Sequence, residues 1–273
     1  TSLRKILYTS FKRKLFNEIK VAQFSGSVSE LSCYHHGEAS LNGAIVGMAQ
    51  NFVGSNNINL LEPNGQFGTR LQGGSDSASE RYIHTNLNKL TRMIYPEEDD
   101  SVLQYLDDDG TPVEPIYYVP IIPMILVNGS KGIGTGFSTE ILCYNPNELI
   151  NYIQCYISDK DLPTLEPYYE GFKGSIEKID NNKWLIKGTY EVIDKKYIED
   201  LIDNDKKKTK KENYVKDYID MSTDVNVDIT ITFNEGKMTE LQEKQSDYNC
   251  NALEKLLKIY VTKTTNNMQM FDE

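Results

Sequence analysis

Several features that would assign a class at once are scarce or missing in this sequence. No apolar run approaches the ~20 residues that cross a bilayer, and no charged-then-apolar leader opens the chain, so no membrane partner is expected. Cysteine is limited to Cys33, Cys143, Cys155 and Cys250, scattered without metal-ligand spacing; they read as free thiols in a reducing, intracellular compartment. Histidine is scarcer still. His35 and His36 are adjacent, point in different directions and find no further ligand in the pattern, so the expected metal set is none. Gly132-Ile-Gly-Thr-Gly136 lacks the Lys-Ser/Thr ending of a phosphate loop and the spacing of a dinucleotide fingerprint. No Asp-x-Asp cluster follows a strand to hold Mg²⁺.

Positive charge is in deficit: 29 Lys and Arg against 40 Asp and Glu, a net charge of −11. Averaged over the surface this opposes nucleic-acid binding, but exposed charges are screened beyond roughly 8 Å at physiological salt, so local distribution decides. Arg4, Lys5, Lys12, Arg13, Lys14 and Lys20 crowd the opening against Glu18 alone. Acids gather at Glu97-Glu-Asp-Asp100 and Asp107-Asp-Asp109, expected as a solvated loop facing away from that cationic end.

The 273 residues, 39% hydrophobic, allow one large domain or two ordinary ones. Thr1-Ser-Leu-Arg-Lys-Ile-Leu-Tyr8 reads as the interior of a folded element, so a fragment of a longer chain is expected. Residues 3–20 are expected as a helix with Leu3, Ile6, Leu7, Phe11 and Leu15 inward, and 21–29 as a connector. A second helix places Leu41, Ile45, Met48, Ala49 and Phe52 on one face. Residues 51–74, rich in Gly and Asn, read as loop or short strand. Ser77 with Glu80 makes a capping box, predicting a helix through Ile83, Leu87, Leu90 and Ile94 that ends at Tyr95-Pro96. Ile121 to Val127 reads as a buried extended run between prolines. The texture changes near 142–146. Beyond it come a helix over 148–157, strands over 174–179, 183–193 and 224–233, and helices near 238–245 and 252–259. The fold class is α+β, with domains over 1–144 and 145–273.

Tyr82 is the candidate for chemistry. A phenol beside the Arg81 guanidinium, near a predicted helix N-terminus, suits a phosphate. From the residues alone, an ordinary half-buried aromatic remains the alternative.

The stretches Tyr34-His-His-Gly-Glu38, Ala49-Gln-Asn-Phe-Val-Gly-Ser-Asn-Asn57, Gly65-Gln-Phe-Gly-Thr-Arg70 and Ser79-Glu-Arg-Tyr-Ile83 resemble the breakage-reunion region of type IIA DNA topoisomerases. So do Pro123-Met-Ile-Leu-Val-Asn-Gly129 and Gly132-Ile-Gly-Thr-Gly136. The Gln-Phe-Gly-Thr-Arg wording looks like the eukaryotic topoisomerase II branch, and the likeness runs from Arg4 to about Asn147. The resemblance implies a winged helix-turn-helix domain followed by an α/β tower domain. It makes Tyr82 the nucleophile on a DNA phosphodiester, with Arg81, His36 and Arg4 stabilising phosphate charge. It implies DNA contacts at Lys5, Lys14, His35 and Arg70, and Ile133 as a wedge between base pairs that bends the duplex.

The same resemblance implies Mg²⁺ held by a TOPRIM domain and ATP held by an ATPase domain, both outside this stretch. Its partners are double-stranded DNA and a second copy in a homodimer, and its expected location is the nucleus. A non-catalytic winged-helix DNA-binding module is the alternative function. Lys206-Lys-Lys-Thr-Lys-Lys211 stays open between a solvated loop and a contact to flanking DNA. After Val192-Ile-Asp194 the sequence jumps to Lys195-Lys-Tyr-Ile198 where the family continues with a Glu-Leu-Pro turn, so a segment is expected to be missing there.

Overall fold

The computed structural model describes residues 2–134, 137–188, 214–221 and 228–268. The chain forms two compact units. The first holds residues up to Gly68 and Gly74–Gly171; the second holds Phe172–Met268 with the short piece Thr69–Gly73.

The first unit begins with three helices, α1 (Ser2–Lys12), α2 (Val21–Leu31) and α3 (Glu38–Ala49). They pack on one another around Ile6, Phe24, Val28, Leu41 and Ile45, all almost completely buried. Between α1 and α2 lies β1 (Ile19–Lys20), which pairs antiparallel with β2 (His84–Thr85). Residues 60–64 continue this ladder on its far side, through the bridges Asn64↔His84 and Leu61↔Leu87. This is the winged helix-turn-helix arrangement expected.

Further along come α4 (Thr91–Ile94), the hairpin β3 (Tyr105–Asp108) with β4 (Thr111–Pro115), and α5 (Met124–Val127). A second hairpin pairs β5 (Ser130–Gly134) with β6 (Phe137–Ile141), and α6 (Pro146–Ile157) follows. The second unit contains β7 (Ser175–Asp180), β8 (Lys183–Lys187), β9 (Val215–Asp220), β10 (Ile229–Phe233), α7 (Lys237–Glu243), α8 (Ala252–Leu256) and β11 (Tyr260–Thr264). Its central sheet runs β11-β8-β7, and Leu241, Leu253 and Leu257 form an apolar cluster against Ile231 and Phe233. The α+β class holds.

Four expectations need correcting. The first helix stops at Lys12, not near residue 20, because Lys14 takes a left-handed backbone (φ 48°) that no α-helix continues through. Residues 21–29, expected as a connector, are most of α2. Val21, Phe24, Ser25 and Val28 are buried at the i, i+3, i+4, i+7 spacing of a helix, a stripe masked by the serines and glycine set among them. No helix starts at Ser77. Ile83, Thr85 and Leu87 are buried alternately, the period of a strand, and only Thr91–Ile94 is helical. The run Ile121–Val127 is not buried throughout: Ile121 is exposed, and Val127 N–H donates to Pro123 O in a single helical turn.

The boundary also moves. The helix α6 is expected in the second domain, but the units divide at Gly171 and Phe172. The reason is Asn57, whose side-chain amide bonds the carbonyls of Tyr144 and Tyr168 and so ties both flanks of α6 to the first unit. Lys206–Lys211, the junction at 194–195, and Val225 and Val227 lie outside the described residues.

Candidate active site

Tyr82 stands on a turn, with its own N–H donating to Ser79 O at 2.9 Å. That turn serves as the cap of α2. The N-cap position is Lys20, whose side chain makes no capping bond. The first amides of the helix are satisfied instead by the turn's carbonyls: Val21 N–H donates to Ile83 O and Ala22 N–H to Glu80 O, both at 3.0 Å. Ala78 N–H bonds Gln66 O before the turn, and Asn64 and His84 exchange backbone bonds after it. Gly65, in the left-handed region, lets the neighbouring segment pass against Ile83.

The turn is thus fixed on both sides, while the Tyr82 ring is 77% exposed and Arg81 beside it is exposed. Three buried tyrosines are poorly suited to attack. Burial pushes the Tyr95 phenol up to about 12, and pushes Tyr118 and Tyr169 up as well. An exposed phenol on a rigid turn with a guanidinium next to it is arranged to meet a phosphate.

The remaining predicted residues do not gather there. Lys5 lies at the other end of α2, where Nζ donates to Ser32 O and to Glu114 Oε2, the latter at 2.7 Å. It is 8% exposed, which corrects its assignment as a DNA contact: it is a structural ion pair. Arg4, half-buried, donates from Nη1 to Pro115 O at 3.1 Å. His36 is exposed, with its ring edge-on to Tyr34 at 5.4 Å, and the Tyr34 hydroxyl meets Ser2 Oγ at 3.3 Å. Arg4, Lys5 and His36 therefore cluster around the start of α1 and the end of α2. Tyr82 and Arg81 stand at the opposite end of that helix, a rise of roughly 16 Å away.

His35, exposed, contacts Asp108 Oδ2 at 3.0 Å, and Lys14, exposed, lies 3.9 Å from Glu97. The acidic segments thus border the basic ones rather than facing away, a second correction. An exposed pair such as Lys14–Glu97 holds its partners weakly and leaves the lysine available to a phosphate. Arg70 is exposed on a turn of 3₁₀ helix, Arg70–Gln72, counted with the second unit. Ile133 lies within β5, opposite Ser138 on β6. Sequence reasoning missed Asn57 and Asn128, which bond several separate segments of the first unit; the signal available was an Asn in each of the Gly-Ser-Asn-Asn and Val-Asn-Gly stretches. Among the described residues no three His, Cys, Asp or Glu side chains converge as a metal site, and no helix is long and apolar enough to cross a membrane.

Proteins of similar sequence and fold place the chain in a family. The family described as the A subunit of DNA gyrase/topoisomerase IV matches residues 1–273. DNA topoisomerase 2 of Pisum sativum is 45% identical over 97% of this chain, and DNA topoisomerase 2-alpha of Gallus gallus is 43% identical over 98%. The chain spans only 19% and 18% of those proteins' lengths. The crystal structure of the Plasmodium falciparum topoisomerase II DNA-binding, cleavage and re-ligation domain superposes with a TM-score of 0.86 at 43% identity, over 99% of this chain and 38% of that one. Match, identity and superposition all cover essentially every residue, and the chain belongs to the family of DNA gyrase/topoisomerase IV A subunits, among the relatives named DNA topoisomerase 2.

Proposed function

We propose that this chain is the DNA breakage-reunion part of an ATP-hydrolysing type II DNA topoisomerase, with Tyr82 as nucleophile. The observation that carries the reading is the exposed Tyr82 ring on a turn hydrogen-bonded to the N-terminus of α2, with Arg81 exposed beside it. Tyr82 Oη attacks a DNA phosphorus; the Oη–P bond forms as the P–O3′ bond breaks. The phenol proton leaves to a base and the departing 3′-oxygen gains a proton, giving a 5′-phosphotyrosyl protein and a free 3′-hydroxyl. A phenol is a weak nucleophile at neutral pH and needs a base or a neighbouring positive charge to favour its anion. Arg81 supplies that charge and neutralises the equatorial oxygens as they become more negative. One ester replaces another, so resealing is the same step in reverse and needs no further energy.

The fold of the second unit is assigned to the tower domain that flanks the DNA, and Ile133 to the wedge that bends it. Double-stranded DNA is the substrate. The working form is a homodimer, so that two tyrosines open both strands, and plant and animal relatives support a nuclear location. The described residues offer no cluster that fits Mg²⁺, and the reading assigns the metal to a TOPRIM domain and ATP to an ATPase domain elsewhere in a longer protein.

The test is Tyr82→Phe in the full-length enzyme. Denaturing electrophoresis with end-labelled DNA and Mg²⁺ should show a protein joined to a 5′ end in wild type and none in the variant, which still binds DNA. A DNA-binding module would lose at most one hydrogen bond, roughly 0.5–1.5 kcal/mol of affinity. An adduct persisting in the variant, or none in wild type, overturns the assignment.

A further inference from the structure

A densely bonded side chain of the first unit lies away from the tyrosine. Asn57 Nδ2 lies within hydrogen-bond distance of three carbonyls from three separate segments: Val127 O at 2.8 Å, Tyr168 O at 3.1 Å and Tyr144 O at 3.3 Å. Its Oδ1 accepts from Glu170 N–H at 2.8 Å. One residue on, Ile58 is held by Asn128: Ile58 N–H donates to Asn128 Oδ1 at 2.9 Å, and Asn128 Nδ2 donates to Ile58 O at 2.8 Å. Asn128 thereby does with its side chain what a neighbouring strand does with its backbone.

These bonds sit at the root of the β5–β6 hairpin. Asn128 precedes Gly129, which turns the chain into β5 with φ 68°, and a Cβ added to Gly129 would come within 2.6 Å of Ile141 O at the end of β6. Tyr144, three residues past β6, donates its N–H to Leu126 O. The hairpin's two legs are therefore both anchored to residues 57 and 58.

The same segment continues directly to the tyrosine. Leu60 O accepts from Asn88 N–H, Glu62 N–H donates to Asn86 O, and Asn64 exchanges two backbone bonds with His84, two residues past Tyr82. Residues 57–64 thus form a strut, pinned to the hairpin root at one end and to the strand leaving the tyrosine turn at the other.

We propose that Asn57 and Asn128 are positioning residues that set the β5–β6 hairpin relative to the Tyr82 turn, so that the DNA held by the hairpin presents its phosphate to the tyrosine. This rests on the cleavage reading above. Neither side chain touches the reacting atoms. Both act through the strut, where a displacement of about 1 Å can cost on the order of a hundredfold in rate.

The experiment uses full-length enzyme carrying Asn128→Ala or Asn57→Ala, with wild type and Tyr82→Phe alongside. DNA affinity at fixed salt, bending by fluorescence transfer between labelled DNA ends, and the rate of adduct formation at saturating DNA are measured together. The expected result is unchanged affinity, a changed bend, and adduct formation slowed about ten- to a hundredfold at saturation. Asn128→Asp keeps the acceptor for Ile58 N–H and loses the donor, and should fall between Asn128→Ala and wild type. Wild-type rates in both alanine variants overturn the proposal while leaving the Tyr82 assignment intact. Loss of DNA binding in both makes the pair a brace for the whole fold and also overturns it. If wild type itself forms no adduct, the cleavage reading fails first.

Discussion

Lys5 Nζ and Glu114 Oε2 lie 2.7 Å apart with almost no solvent access, joining α1 to β4. Breaking such a pair strands a buried charge, which typically costs about 3–5 kcal/mol. Lys5→Met alone should therefore destabilise the first unit strongly, since it also leaves Ser32 O without its donor. Lys5→Met with Glu114→Leu should recover much of the loss, because both charges are gone. Denaturant melts of the single and double variants check this; equal destabilisation in both would mean the charge pairing is not what matters.

Lys14 should behave in the opposite way. Its side chain is 73% exposed and its carboxylate neighbour is 3.9 Å off, so Lys14→Ala should leave stability unchanged. If it contacts one DNA phosphate, the slope of log affinity against log salt should fall by about one. An unchanged slope would assign Lys14 to solvent.

What was legible in the sequence followed from the kind of signal each element carries. The helix α3 was readable because Leu41, Ile45, Met48 and Ala49 are apolar and recur at helical spacing. Its neighbour α2 was not, because a serine fills one of its core positions and Gly26 and Ser27 break the apparent stripe. The Tyr82 region misled for a different reason. Ile83, Leu87, Leu90 and Ile94 fit a 3.6-residue period by number, yet the local chain spends its hydrogen bonds on α2 and on residues 60–64, so long-range pairing overrode the capping signal. The tyrosine itself was found through motif resemblance, and its fixed, exposed setting came only from the fold. Lys5 shows the limit of counting charges: nothing in the run Arg4-Lys-Ile6 says which cation turns inward, because the acid that draws it lies 109 residues away.

In the second unit, Lys187 Nζ meets Glu254 Oε1 at 2.6 Å, and Glu254 also accepts from Asn251 N–H to cap α8. Burial pushes the Glu254 carboxyl up, but the Lys187 hydrogen bond and the capping bond outweigh it and hold the carboxyl below its ordinary value. A carboxyl lowered by folding stabilises above its unfolded value and loses that contribution as pH falls through the folded one. The second unit should therefore lose stability in acid, below about pH 4. Trp184, the one tryptophan, is buried in β8 and reports the transition by fluorescence. Glu254→Gln should lower neutral-pH stability and flatten the acid limb. An acid limb of unchanged depth would place the sensitivity elsewhere.

The separation of Arg4 and His36 from Tyr82 carries the last prediction. The 11 residues of α2 rise roughly 16 Å; its first amides bond the tyrosine turn, while its far end adjoins Lys5 and Tyr34. If Arg4 steadies the phosphate that Tyr82 attacks, the two should come from different protomers of the proposed dimer. Mixed full-length dimers distinguish this. With Tyr82→Phe in one protomer and Arg4→Ala in the other, a shared site retains one tyrosine facing one intact arginine, and single-strand nicks should form at the wild-type rate for one site. With both substitutions in one protomer opposite wild type, no site keeps both residues, and nicking should fall. Should the second arrangement nick well and the first poorly, Arg4 serves the tyrosine of its own chain, and α1 must move relative to α2 when DNA binds. Equal, full nicking in both would remove Arg4 from the cleavage step.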